Sequence, residues 1–401
     1  MCKWKTLHLV LACCSAACVA QGRLDARFNF VSLPNSFSDP ASDGAQTSDP
    51  AGHRMVLTVA VTDASGNPVA NLKQSDFTVT DNQQARAIEG FREVAGGSLG
   101  ATAHAVLVID AVNDTSSSAL ERQAKGIEEF LSSAKEPLPY PVSIALVSGA
   151  ELTESPASRD RETLAGEVRD LTRSVRVVDC ANQDAMSSDE AGSQAMDSGV
   201  MGATLNRVDN NSPVDTGGCF ARHLERSLSA LEKIAREQSG SSGRALIVWI
   251  GPGWPLLSGR KARETAQGKP SWFDRAVSLT NLLREAQATV DVVSPTDFEH
   301  GKEFRHVDWN GLYTGAAGQA SASEANVALP VIARQSGGTV FGKSTDMAAN
   351  IGACLTNADH YYAMTYDAAR GGASNELRSI DVKVDRPGAT VHSATLYYAQ
   401  P

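Results

Sequence analysis

The middle of the chain carries short apolar runs with little polar alternation: HAVLVIDAV (104–112), YPVSIALVSGA (140–150), RALIVWIGPGW (244–254) and TVDVVSP (289–295). A strand with one face in water alternates polar and apolar residues. A strand without that alternation is buried on both faces, as in a parallel sheet covered by helices. Between the runs lie helical stretches. SSSALERQAKGIEEFLSSA (116–134) places Leu120, Ile127, Phe130 and Leu131 on one face, and Ser116 to Ser118 offer N-caps. SRDRETLAGEVRDL (158–171), ARHLERSLSALEKIAREQ (221–238), SWFDRAVSLTNLLREAQA (271–288) and VALPVIARQ (327–335) continue the pattern. ELTES (151–155) reads as a short edge strand and GTVFG (338–342) as the last strand. Strand alternating with helix predicts a doubly wound α/β fold with a mainly parallel sheet.

The flanks are of another kind. In residues 53–98, Leu57, Val59 and Val61 alternate with Val56, Thr58, Ala60 and Thr62, DASGNP is a turn, and DFTVTD and AIEGFREV are further strands. In residues 359–401, HYYAMTYD, ELRSIDVKVDR and ATVHSATLYYA read as three more. Neither flank holds enough apolar residues for its own core. The two are expected to pack together as one small β sandwich, with the α/β domain, residues 101–358, inserted between them.

The chain of 401 residues begins MCKWKTLHLVLACCSAACVAQG: a basic start, an apolar run and small residues before a cleavage point after Ala20. Residues 1–20 read as a secretory signal peptide and the Ser/Asp/Pro/Gly-rich residues 21–52 as a flexible linker. An uncleaved anchor, or a lipid anchor on Cys13 or Cys18, are the alternatives. The expected location is outside the cytoplasm: secreted, periplasmic or held in the cell envelope. A net charge of −10 and the lack of any Lys/Arg-rich run argue against general affinity for nucleic acid or anionic membranes.

Cys2, Cys13, Cys14 and Cys18 lie in the leader, which leaves Cys180, Cys219 and Cys354. Cys180 and Cys219 bracket one polar segment and are the natural disulfide pair; three buried thiols are the alternative. A bond closing a loop of about 40 residues stabilises by about 4 kcal/mol in the chain-entropy picture.

Several pieces in order (VTDASGNPVANLKQSDFTVTDN, VLVIDAVND, ALIVWIGPGWP, IARQSGGTVF and YYAMTYD) make the chain resemble a secreted bacterial, Acidobacteria-type family of von Willebrand factor A-related proteins. The resemblance spans nearly the whole chain after the linker. It implies a von Willebrand A-like sheet and a non-enzymatic module that binds a protein or cell-surface ligand. Such domains hold a divalent cation at the C-terminal edge of the sheet through D-x-S-x-S, a Thr and a further Asp. Here the motif reads Asp110-Ala111-Val112-Asn113-Asp114. Asp110 matches, Val112 cannot ligate, and Asp114 replaces the second serine. Thr216, with Asp215 before it, aligns loosely with the threonine, and IGPGW offers no carboxylate. The resemblance therefore implies a degenerate metal-ion-dependent adhesion site with no cation. The alternative is a weak, modified Mg/Mn/Ca site at Asp110, Asp114, Asp215 and Thr216. The acidic insert, residues 179–217, sits at the same rim. With it, Asn113, Asp209 and Trp254 are candidates for partner contact; a Trp254 packed beneath the insert is the other reading.

GGTVFGKS (337–344) matches the phosphate-loop pattern G-x-x-x-x-G-K-[ST], the signature of a nucleotide-binding enzyme. Its flanks run helix, glycine, strand, turn, where a phosphate loop needs strand, loop, helix. Gly337 or Gly338 reads as a helix C-terminal glycine, and Ser344 with Thr345 as the cap of the next helix. His300 and His306 are close in sequence but lack further ligands.

Overall fold

The structure is a computed structural model and describes residues 53–95, 104–149, 152–177, 180, 216–239, 243–254, 271–298, 300–358, 360–369 and 371–401. The expected signal peptide, linker and nearly all of the insert lie outside the described residues.

The apolar runs form the central sheet. β5 (His104–Asp110), β6 (Val142–Val147), β8 (Ala245–Ile250), β9 (Ala288–Val293) and the short β10 (Val340–Phe341) are parallel, and β7 (Leu152–Glu154) is antiparallel at one edge. The order β10-β9-β8-β5-β6-β7 reverses direction at β5. This is the expected doubly wound, mainly parallel arrangement, and its residues in β6, β8 and β9 are all buried.

Helices cover both faces. On one, α3 (Thr216–Gln238), α4 (Trp272–Glu285) and α6 (Leu329–Gln335) bring Leu224, Leu231, Ile234, Leu279 and Val331 against Val106, Val108, Ile247 and Val290. On the other, α1 (Ser117–Ser132), α2 (Arg161–Thr172) and α7 (Met347–Ala358) bring Ile127, Leu131, Leu164 and Ile351 against Leu107, Ile109 and Ile144. Ser116 caps α1 by accepting from Ala119 N at 3.3 Å. A short α5 (Trp309–Tyr313) lies in the passage from β9 to α6.

The sandwich is built from both ends of the chain. β1 (His53–Thr62) and β4 (Gly90–Val94) flank β11 (Tyr361–Ala368), and β13 (Thr390–His392) completes that sheet. β2 (Phe77–Asp81) and β3 (Gln84–Arg86) join β12 (Glu376–Val384) and β14 (Leu396–Ala399) in the other. Leu57, Val59, Val61, Phe77, Val79, Tyr362, Met364, Tyr366, Ile380 and Val382 fill the space between. ATVHSATLYYA, expected as one strand, is two. It breaks at Ser393–Thr395, where Thr395 N donates to Gln335 O at 3.1 Å, so β13 and β14 enter different sheets. Phe273 and Val277 of α4 pack on Leu396 and Tyr398, tying the sandwich to the α/β layers.

GGTVFGKS runs from helix to strand. α6 ends in a Schellman motif: Gly337 N donates to Arg334 O and Gly338 N to Ala333 O. Gly337 has φ 84°. Asp346, not Ser344 or Thr345, caps α7 by accepting from Ala349 N at 2.9 Å, while Ser344 Oγ accepts from Asn350. The serine points instead to a residue inside the helix, which leaves the first-turn N–H to the nearer carboxylate.

A Cβ at position 337 would lie 2.3 Å from the Ser393 carbonyl carbon, on a backbone of positive φ. Gly337→Ala is expected to lower stability by about 1–3 kcal/mol, seen as a lower denaturant midpoint at unchanged m value.

Candidate functional site

The C-terminal edge of the parallel strands gathers the loops after β5, β8 and β9. Asp110 ends β5 and is fully buried. Both its carboxylate oxygens are taken up by the protein. Oδ1 accepts from Asn113 N at 3.1 Å and from Asn113 Nδ2 at 3.0 Å. Oδ2 accepts from Asn113 Nδ2 at 2.8 Å and from Trp249 Nε1 of β8 at 2.9 Å. A carboxylate offers about four lone-pair positions, and three N–H groups converge on them, the Asn113 side-chain N–H being shared between the two oxygens. Asn113 Nδ2 also donates to Ser227 Oγ of α3 at 2.9 Å, and Ser227 Oγ donates to His223 O at 3.0 Å.

Glycine makes the close packing possible. A Cβ at Gly251 would lie 2.6 Å from Asp110 Cβ, so the IGPGW loop can cross this carboxylate only without a side chain there. Asp114 is buried one turn further on and accepts from Gln123 Nε2 of α1 at 2.7 Å.

Burial raises the Asp110 carboxyl to about 6 against the pull of the Asn113 and Trp249 donors. Burial, then the charge of Asp110, raises Asp114 to about 7. Around them, Val112 is 3% exposed and supplies no oxygen. Among the described residues, the one carboxylate that matches the motif is surrounded by N–H groups, and the side chain at the hydroxyl position is apolar.

The other candidates divide. Trp254, expected as a rim anchor, is 4% exposed and packs edge-on to Trp249 with ring centroids 5.2 Å apart. The apolar surroundings of that pair draw its large ring inward, so it is a core residue. Asn113 is turned toward Asp110 and Ser227, so its amide serves the carboxylate and is not presented to a partner. Asp209 and Asp215 lie outside the described residues; Thr216 opens α3, but its side chain is not described. Cys180 and Cys219 are joined by the expected disulfide, with Cα atoms 5.7 Å apart. Cys354 is a buried free thiol, and burial together with the Asp291 carboxylate beside it pushes the thiol well up. His300 and His306 are exposed, and His300 faces Asp297 at 3.5 Å. Sequence reasoning missed Trp249, Gln123 and Ser227. Each sits on an element that reads as ordinary core, and nothing local marks its polar atom as a partner of Asp110 or Asp114.

No family model matches the chain, and no curated protein matches it. Solved structures do. The manganese-loaded Plasmodium vivax TRAP protein aligns at 12% identity over 76% of this chain and 96% of that one, TM-score 0.31. The ArnB paralog VWA2 from Sulfolobus acidocaldarius aligns at 9% identity over 87% and 76%, TM-score 0.29. The human COPII-coat protein Sec24c aligns at 8% identity over 79% of this chain, TM-score 0.31, and the chain spans about half of its length, 48%.

A carboxylate with a raised folded pKa favours folding most below its unfolded value of 3.8, and that advantage is lost as pH rises through about 6 for Asp110 and about 7 for Asp114. Asp114→Asn removes this loss while keeping an acceptor for Gln123. Its melting temperature is expected to exceed the parent's by a margin that grows from pH 4 to pH 7 and then levels off. A constant difference across that range would show that Asp114 does not carry the dependence.

Proposed function

We propose that this chain is an exported, non-enzymatic interaction module that recognises a protein or cell-surface ligand without a cation at its adhesion-type site. The observation that carries the reading is the enclosure of the Asp110 carboxylate by Asn113 and Trp249 N–H groups. In an adhesion site of this kind the cation offers its open position to a carboxylate from the partner. Here the protein's own donors occupy the oxygens that would hold the cation. Recognition then falls to groups left exposed on the same rim, among them Thr115 after β5 and Pro295 after β9. The reading of residues 1–20 as a secretory signal supports a location outside the cytoplasm, secreted or held in the envelope, where nucleoside triphosphates are scarce. That argues against a nucleotide enzyme at 337–344, as does the helix-to-strand course of those residues.

A second reading, a Mg/Mn/Ca-dependent binder at a modified site of Asp110 and Asp114, has one observation on its side. Asn113 Oδ1 and Gln123 Oε1 are buried acceptors beside the two carboxylates, without a hydrogen-bond partner among the described residues.

Calorimetric titration of metal-stripped protein decides between them. Under the first reading Mg²⁺, Mn²⁺ and Ca²⁺ give no submillimolar binding, and a partner captured without crosslinking from native envelopes stays bound in a chelator. Submillimolar binding that is lost in Asp110→Ala, or a partner released by the chelator, would establish the second.

A further inference from the structure

The disulfide has a third member. His223 is buried, as are Cys180 and Cys219. Its Nδ1 and Nε2 both lie 3.5 Å from Cys180 Sγ, and Nε2 lies 3.7 Å from Cys219 Sγ. Among the described residues this trio is the one group of three His, Cys or carboxylate side chains whose ligand atoms all fall within 4.8 Å of one another. Cys219 and His223 are four residues apart on α3, so they share a helix face. The imidazole's hydrogen-bond contacts among the described residues are all to these two sulfurs.

We propose that, once the disulfide is reduced, Cys180, Cys219 and His223 form a binding site for a thiolate-preferring divalent cation of the zinc class. Zn–S bonds of about 2.3 Å and Zn–N bonds of about 2.0–2.1 Å at a tetrahedral angle put sulfur and nitrogen about 3.6 Å apart. The sulfur–nitrogen distances already present, 3.5 and 3.7 Å, straddle that edge length. Only the two sulfurs have to separate, from a covalent bond to about 3.8 Å. A turn of the imidazole about χ2 aims either nitrogen into the gap. A fourth position falls to water or an added ligand. The chemistry balances: a tertiary phosphine, oxidised to its oxide by taking up the oxygen of water, supplies two electrons and that water two protons to convert the Sγ–Sγ bond into two thiols, and the cation then displaces both thiol protons. Reoxidation by a small-molecule disulfide, which leaves as two thiols, re-forms the Sγ–Sγ bond, removes two ligands and expels the cation. Two thiolates with one imidazole select zinc or cobalt over magnesium or calcium. This site is therefore separate in chemistry, as well as in residues, from the one at Asp110.

The test is a Co²⁺ titration of the full chain, anaerobically, before and after reduction by a phosphine. Near-ultraviolet circular dichroism follows the fold. Reduced protein should develop thiolate-to-cobalt charge-transfer absorption and tetrahedral d–d bands, both bleached by Zn²⁺; oxidised protein should not. The double variant Cys180→Ser/Cys219→Ser keeps Cys354 and the leader cysteines, so its spectrum is the background to subtract. His223→Gln should weaken binding by at least about tenfold, since even the loss of an outer partner of a metal ligand costs that much. Equal spectra for reduced parent and double variant would overturn the proposal. So would an unchanged affinity in His223→Gln, or a fold lost on reduction and not regained with Zn²⁺.

Discussion

Everything at the rim follows from placing a carboxylate at the end of a fully buried strand. A charge taken out of water must be surrounded by donors or lose its proton. Asp110 does some of both: its oxygens gather four N–H contacts, and burial still raises its pKa to about 6. The donors come from separate elements, so satisfying one carboxylate fixes several parts at once. Trp249 ties β8 to the end of β5. Asn113 ties the loop after β5 to α3 through Ser227. Gly251 lets the next loop lie directly on the carboxylate. Amide and indole groups thus converge on one carboxylate from two separate elements, and Ser227 links in a third.

The fold was legible in the sequence because burial leaves a periodic trace. An apolar run as short as ALIVWI, rich in β-branched residues and followed by GPG, reads as a strand covered on both faces, and the structure buries every residue of that run. The alternation of Leu57, Val59 and Val61 gave one face of the sandwich in the same way. The course of GGTVFGKS was legible for another reason: Thr339, Val340 and Phe341 favour a strand where a phosphate loop needs a turn. The division of ATVHSATLYYA was not, since the break depends on Gln335 of another element accepting from Thr395.

The site was legible only in part. Asp110 stands out because a carboxylate ends an apolar run. Its partners do not, because Trp249 lies 139 residues away and Ser227 is 114 residues from Asn113, and each serves its own helix or strand first. The sequence left Trp254 open between rim contact and burial, and its ring packs on Trp249. Local composition describes how the backbone turns, and it says little about which way a large ring falls.

The sandwich sets the order in which the molecule can be completed. His53 of β1 pairs opposite Ala368 of β11, and Phe77 of β2 opposite Val384 of β12. As the chain emerges from its N-terminus, β2 can pair with β3 at once, but β1 and β4 have no partner strand until the whole α/β domain has been made. Such pairing is slow to close, and it leaves β1, rich in valine and leucine, as an open edge in the meantime. Until β11 and β13 arrive, that edge presents unpaired backbone groups that the same edge on a second copy could meet.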